Sequence, residues 1–335
     1  MIIQIIYVKL IRGIHNIQTH HHGCALTIGN FDGMHRGHQY LLSNLNKISK
    51  KDKIPMMVMI FEPQPLEFLS NSKSPMRLSA LRDKINFFIQ YNIDYLLCIK
   101  YNYQFASLSA YDFIKKLLVH KLNIKYLVIG SDFRFGNNRE GNHKLLYQAS
   151  KKYNFKVINI INICHRKRKI SSTTIRTAIS MNNFKYAENL LGHQYCLTGK
   201  VIEGNKIGNL LGFPTANILY KQSNIPIKGV YIVLVYGIIN NSALKAVANI
   251  GVCPTINGTK QKIEVHLIDI CINIYRYYIK IIFCKKLRNE KKFSSIKKLK
   301  KQIKKDICNA KHYFTNKYNL LKINRESTCI IIKIP

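Results

Sequence analysis

The sequence predicts two domains of different class: an α/β domain on a parallel sheet, followed by a small antiparallel β-barrel with a C-terminal helix. Three observations lead there. At 335 residues the chain is longer than one core needs and suits two. In its first half, short and nearly continuous apolar runs alternate with helical periodicity, as strands covered on both faces by helices do. Past about Leu191 that periodicity gives way to closely spaced strand-like segments joined by turns, the pattern of a small closed sheet. No internal repeat and no Pro/Gly/Ser-rich linker marks the junction. It is placed within Asn183 to Leu191, giving domains 1–186 and 187–335.

Taken in order, Cys24–Ile28 reads as a strand running into a glycine-rich turn, with a helix from about His38 to Lys50. Met56–Phe61 is the next strand, followed by a helix opened by Ser79 and the strand Tyr95–Ile99. Ser109 and Asp112 have the spacing of a capping box at the start of another helix. The strand Lys125–Ile129 then runs into Gly130. Ligands of parallel sheets sit at the carboxyl ends of the strands, where Gly29 and Gly130 both fall. In the second domain the strand segments are Tyr195–Ile202, Val230–Tyr236, Ala243–Ile250, Ile263–Ile270 and Tyr278–Cys284, with a turn at Asn240-Asn241. Ile296, Leu299, Ile303 and Ile307 form one apolar stripe on the terminal helix, which leaves its lysines on the solvated side.

Bulk properties exclude several classes. No apolar run is long enough to cross a bilayer, and Met1–Lys9 is short, with no small-residue cleavage site after it. A cytoplasmic protein without membrane contact is expected. Nine cysteines lie in neither CxxC nor zinc-finger spacing, so they are read as free thiols in a reducing compartment. The formal charge is +37, but the basic excess accompanies abundant Lys, Asn and Ile along the whole chain, the bias of AT-rich coding. A nucleic-acid partner is therefore not expected from charge alone, and the sequence leaves a homo-oligomer open.

Three stretches and one further carboxylate hold the chemistry. Gly29-Asn30-Phe31-Asp32-Gly33-Met34-His35-Arg36-Gly37-His38 places two imidazoles one short step apart between a strand and a helix. There, backbone N–H groups and rings can face a polyphosphate, and Gly29 and Gly33 permit close approach. Ile170–Arg176 presents hydroxyls and a guanidinium where a loop enters a helix, equally the make-up of an ordinary N-cap. In Gly212–Asn217, the Thr215 hydroxyl and the Asn217 amide oxygen suit a hard cation. Glu264 stands on a strand whose Ile263, Val265 and Leu267 alternate inward, so it also fits a plain polar strand face.

The first stretch resembles the signature of nucleotidylyl transferases of the HxGH group, Rossmann-like proteins related in fold to class I aminoacyl-tRNA synthetases. Ile170–Arg176 is similar to the family's ISSTxxR segment, and Gly130–Gly136 to its GxDFxFG loop. This resemblance implies His35 and His38 as stabilisers of the transition state. It implies Gly29, Phe31, Gly33, Ser171, Ser172, Thr173 and Arg176 on the ATP phosphates, and Asp132 and Phe133 on the flavin. The second half resembles riboflavin kinases through Gly204, Gly208 and Gly212, then Pro214–Asn217, Lys228–Tyr231, Asn249–Gly251, Pro254-Thr255 and Glu264–His266. Implied there are the three glycines on nucleotide phosphate, Thr215 and Asn217 on Mg²⁺, Glu264 as general base and Arg288 on the flavin.

The motifs follow the order of the bacterial bifunctional riboflavin kinase/FAD synthetase family from Gly29 to about Phe293. The substrates so implied are ATP, riboflavin and FMN. Asn209 and Cys253 stand where the family commonly has basic residues, each removing a charged phosphate contact, and Asn138 stands where Gly is frequent. Two competing readings follow: an FMN adenylyltransferase with an impaired kinase half, and a basic RNA-binding protein with a borrowed synthetase-like domain.

Overall fold

The computed structural model describes residues 8–70, 74–161, 163–166, 168–204, 207–220, 225–239, 242–255 and 258–318. The Asn240-Asn241 turn, Cys329, most of the apolar start and the side chains of Cys253, Pro254 and Thr255 lie outside the described residues. Packing groups the chain into two compact units. One comprises the residues up to Pro75 together with Lys84–Ser172; the other comprises Met76–Asp83 and the residues from Thr173 onward.

The first unit is built on a six-stranded parallel sheet of Lys9–Arg12 (β1), Ala25–Ile28 (β2), Met56–Phe61 (β3), Tyr95–Ile99 (β4), Tyr126–Gly130 (β5) and Lys156–Ile160 (β6). Their order is β1-β4-β3-β2-β5-β6. Central strands are buried along their length, as β2 and the first five residues of β3 show, because helices cover both faces. The edge strands β1 and β6, which sequence patterning did not single out, are mostly exposed or half-buried. From β2 the chain steps through β3 and β4 in one direction and later through β5 and β6 in the other. The crevice between the carboxyl ends of β2 and β5 is thus the switch point at which such sheets bind ligands. Gly29 and Gly130 stand on its two sides. Cys164–His165 (β7) and Arg168–Lys169 (β8) form a short hairpin before the Ser172–Ser180 helix.

In the second unit six strands close into an antiparallel barrel: Cys196–Ile202 (β9), Ala216–Leu219 (β10), Gly229–Tyr236 (β11), Leu244–Thr255 (β12), Gly258–Leu267 (β13) and Tyr278–Arg288 (β14). One more strand closes it than the segments read from sequence, the addition being β10. Tyr231, Val233, Ala246, Ala248, Ile263, Val265, Ile279 and Ile281 fill the interior. The terminal helix Ile296–Tyr318 lies on the outer face, where Ala310 and Phe314 pack with Ile232 and Ile268. Its apolar stripe starts later than periodicity placed it: Ile296 is 68% exposed, while Leu299, Ile303 and Ile307 are half-buried.

Candidate active sites

A cavity of about 460 Å³ opens at the switch point of the first unit. Its floor is the turn after β2, where Phe31 (φ 47°), Gly33 (φ 80°) and Met34 (φ 45°) all take left-handed backbone. Only at Gly33 is that conformation free of steric cost; at Phe31 and Met34 it stores strain of about 1–3 kcal/mol each. Both side chains are buried and held by the fold.

The turn delivers His35 as the N-cap of the Arg36–Asp52 helix, its Nδ1 accepting the His38 backbone N–H at 3.4 Å. An Nδ1 that accepts leaves the ring hydrogen on Nε2. The His35 and His38 rings stack at 3.7 Å, and Gly37 is what allows this, since a Cβ there would lie 3.1 Å from the His35 ring. Burial, then His35, then the Lys84 ammonium push the His38 pKa well below the usual histidine value. Lys84 is fully buried, 3.6 Å from Glu62. At neutral pH His38 is therefore an uncharged imidazole, and its Nδ1 is buried without a hydrogen-bond partner among the described residues.

Of the residues singled out by sequence, Gly29, Phe31, His35, His38, Ser171, Ser172, Asp132 and Phe133 line this one cavity. Ser172 Oγ donates to the Asp32 carbonyl at 2.9 Å and ties the start of the Ser172–Ser180 helix to the glycine turn. Gly33 is buried under the turn. Thr173 and Arg176 are not among the lining residues and fall in the other compact unit, where Arg176 Nε donates to the Met76 carbonyl. Asp132 pairs with Lys169 at 2.8 Å, a hydrogen bond that lowers its carboxyl pKa, and the Phe133 and Phe135 rings stack at 5.6 Å. Asn138 adopts φ 48°, a left-handed conformation that Asn tolerates.

Sequence reasoning missed Phe61, Tyr101, Phe105, Arg139 and Lys169 on the cavity wall. Phe61 closes β3 and Tyr101 follows β4, so their place at strand carboxyl ends was the available signal. The Phe61, Tyr101 and Phe105 rings lie 5.5–5.8 Å apart, an apolar wall in the cavity whose floor is the glycine turn. A flat aromatic molecule bearing phosphate matches both.

On the barrel, a row of directly opposed residues crosses neighbouring strands: Asn217 faces Glu264, Glu264 faces Asn249, Asn249 faces Val230 and Val230 faces Arg288. Opposed residues share a sheet face and sit about 5 Å apart, and here it is the outer face, because Ile263 and Val265 point inward. Gly204 and Gly208 cover one end. A Cβ on Gly204 would overlap the Asn217 amide, and one on Gly208 would lie 2.8 Å from Thr215 Oγ1. Gly212 holds φ +81° with open space around its Cα. Asn217 is 7% exposed, and its Oδ1 is buried with no hydrogen-bond partner among the described residues. A buried amide oxygen without a partner, two residues from a threonine hydroxyl, has the donor chemistry of a hard divalent cation's ligands.

Glu264 is half-buried, with Lys262 Nζ 2.6 Å from its Oε1. Arg288 lies in the same row but its guanidinium is committed elsewhere: Nε and Nη2 reach Asp306 Oδ2 at 2.9 and 2.8 Å, and Asp306 also accepts from Gln302. Asn209 is exposed. Among the described residues no group of three or more His, Cys, Asp or Glu could hold a metal.

Each half of the chain matches a known family. A family model described as FAD synthetase matches residues 17–174, and one described as riboflavin kinase matches 191–314. The bifunctional riboflavin kinase/FMN adenylyltransferase of Escherichia coli K12 is 45% identical over 307 residues, covering 91% of this chain and 98% of the relative. The enzyme of the same description from Buchnera aphidicola subsp. Schizaphis graminum is 49% identical over 310 residues, covering 91% and 99%. A solved structure described as a macrolide-efflux protein from Streptococcus pneumoniae superposes with TM-score 0.73 at 29% identity, covering 89% of this chain and 97% of that one. Among the described residues no helix is long and apolar enough to cross a membrane. With both family models matched, nothing favours a chain reduced to one activity.

Proposed function

This chain belongs to the family of bifunctional riboflavin kinases/FMN adenylyltransferases, and from that premise we propose how its two reactions are divided and which residues perform them. Riboflavin is phosphorylated in 187–335 and the resulting FMN is adenylylated in 1–186. The observation behind this division is that two unlike arrangements stand in separate compact units, a stacked pair of imidazoles in one and a carboxylate opposite a buried amide oxygen in the other.

In the kinase half Glu264 accepts the proton of the ribityl 5′-hydroxyl. The oxygen then bonds the γ-phosphorus of ATP, and the bridging bond breaks with its electron pair leaving on ADP. Thr215 and Asn217 would hold Mg²⁺, whose charge offsets that of the triphosphate when bound. Gly204, Gly208 and Gly212 let the loop backbone approach the nucleotide. Arg288 acts on the flavin side through its place in the row, held there by Asp306.

In the other half an FMN phosphate oxygen attacks the α-phosphorus of a second ATP and pyrophosphate leaves. A phosphate already ionised needs no base, so the imidazoles serve as hydrogen-bond donors to the oxygens of the crowded phosphorus, His35 through Nε2. Gly29, Phe31 and Gly33 shape the floor, and Ser171 and Ser172 bind departing phosphates. Asp132 and Phe133 contact the flavin. The seven free cysteines among the described side chains support a reducing, cytoplasmic setting.

The test is one incubation with riboflavin, ATP and Mg²⁺, resolved into riboflavin, FMN and FAD by chromatography. His35→Ala accumulates FMN without FAD, and Glu264→Gln converts supplied FMN at the parent's rate but forms FMN from riboflavin far more slowly. Loss of both steps in each folded variant would refute the division.

A further inference from the structure

We propose that Lys262 is a catalytic cation of the kinase centre, its ammonium contacting the phosphoryl group during transfer; this rests on the reading of Glu264 as the base. Lys262 and Glu264 are two residues apart on β13 and so project from the same face, and they are in contact at 2.6 Å. A base takes the proton of a hydroxyl at about 2.6–3.2 Å, and that hydroxyl must lie about 3–3.5 Å from the phosphorus it attacks. An ammonium touching the base is consequently within one side-chain swing of the phosphoryl oxygens. Lysine has three donors on a flexible stem, so it can keep one on the carboxylate and turn another to phosphate.

Charge makes the same demand. The groups directly opposite this pair are uncharged: Gly251 faces Lys262, while Asn217 and Asn249 face Glu264. The Glu290 carboxylate lies over Gly251. A triphosphate entering here meets two carboxylates, one of which must stay ionised to act as base, and Lys262 offsets that repulsion where charge builds on the transferring group. A bare surface ion pair would be worth little; here the pair includes the proton acceptor of the reaction. The proton passes from the 5′-hydroxyl to Glu264, and Lys262 exchanges none.

The experiment compares full-length parent, Lys262→Gln, Lys262→Arg, Glu264→Gln and the double variant Lys262→Gln/Glu264→Gln in initial-rate FMN formation at saturating ATP and Mg²⁺. FMN adenylylation and thermal melting of each preparation serve as checks of fold. Expected is a kcat about tenfold lower or more in Lys262→Gln with the KM for riboflavin within about twofold. Lys262→Arg recovers most of the rate, and the glutamine at 262 costs about a further tenfold in the Glu264→Gln background. An unchanged kcat in Lys262→Gln, or no added loss in the double variant, overturns the proposal, the latter because Lys262 would then act only through its neighbour. A Glu264→Gln enzyme as fast as the parent removes the premise and the proposal together; a slow Glu264→Gln beside a fully active Lys262→Gln removes the proposal alone.

Discussion

Gly208→Ala isolates the kinase half by sterics. A Cβ built on Gly208 lies 2.5 Å from the Phe213 carbonyl oxygen and 2.8 Å from Thr215 Oγ1, against about 3.4 Å for ordinary contact. The Phe213 N–H is itself bonded to the Gly208 carbonyl at 2.8 Å, so the loop is pinned on both sides and cannot swing clear cheaply. Relief requires about 0.9 Å of movement at the carbonyl, and the Thr215 hydroxyl moves with it relative to Asn217. A displacement of about 1 Å in a positioning group costs about a hundredfold in rate. Gly208 does not occupy left-handed backbone, so alanine suffers no conformational strain there and the effect is purely the clash. The assay is the initial rate of FMN from riboflavin, with FAD from supplied FMN as internal control. Kinase turnover falls about a hundredfold while adenylyl transfer holds. Gly212→Ala, strained at φ +81° but unobstructed, loses stability of about 1 kcal/mol and less kinase activity than Gly208→Ala. A folded Gly208→Ala with kinase turnover within about threefold of the parent would refute the reasoning.

Three other substitutions test the remaining electrostatics. His38→Ala lowers FAD formation by about 10²–10³-fold and leaves the kinase intact. Because the folded pKa of His38 lies below its unfolded value, its contribution to stability is present above about pH 6.5 and is lost as pH falls. The parent's melting temperature should therefore drop more steeply than that of His38→Ala between about pH 7 and pH 5. Asp83 has the opposite sign: burial, set against bonds from the Thr198 side chain and the Ala80 N–H, raises its pKa to about 6. Its stabilisation is full below about pH 3.8 and lost as pH rises through about 6, so Asp83→Asn stabilises by up to about 3 kcal/mol at pH 8 and little at pH 4 in urea titrations. Asp306→Ala strands the Arg288 guanidinium and destabilises the protein by about 3 kcal/mol; equal denaturation midpoints would show the pair idle.

The legibility of this chain follows the range of the forces involved. Buried parallel strands and the glycine turn announce themselves locally, since β2 and β3 are unbroken apolar runs and Gly29 and Gly33 must lie where backbone bends. β10 does not. Four residues after Pro214-Thr215, with a buried Asn among them, show no alternation, and the strand exists because β9 and β13 supply hydrogen bonds from both sides. β1 and β6 are edge strands whose exposed positions hold polar residues, which erases the apolar signal that marks the central ones. The partner of Arg288 was readable: Asp306 is the lone carboxylate of the Ile296–Tyr318 helix and falls beside Ile303, Ile307 and Ala310 on its apolar side. A carboxylate there needs a cation, and Arg288 closes the preceding strand. Lys262 was hidden for a different reason, since alternation shows which face a lysine takes but not what it touches.

On the proposed division, the two sites differ because their nucleophiles do. An alcohol is a poor nucleophile until its proton leaves, so the γ-transfer site must keep a carboxylate ionised close to a triphosphate. That is stable only where cations and partial hydration screen the repulsion, which is the condition on the half-buried outer face of β13 beside Lys262. A phosphate monoester arrives already charged, so a base at the α-transfer site would only repel it. Neutral donors serve there, and the low dielectric of a buried turn strengthens each of them while it prevents His38 from acquiring charge. Placing the carboxylate in the buried turn would raise its pKa until it held its proton, and placing the imidazole pair on the open strand face would let water screen its hydrogen bonds. The chemistry thus sets the burial of each centre, and burial sets which half of the fold can host it.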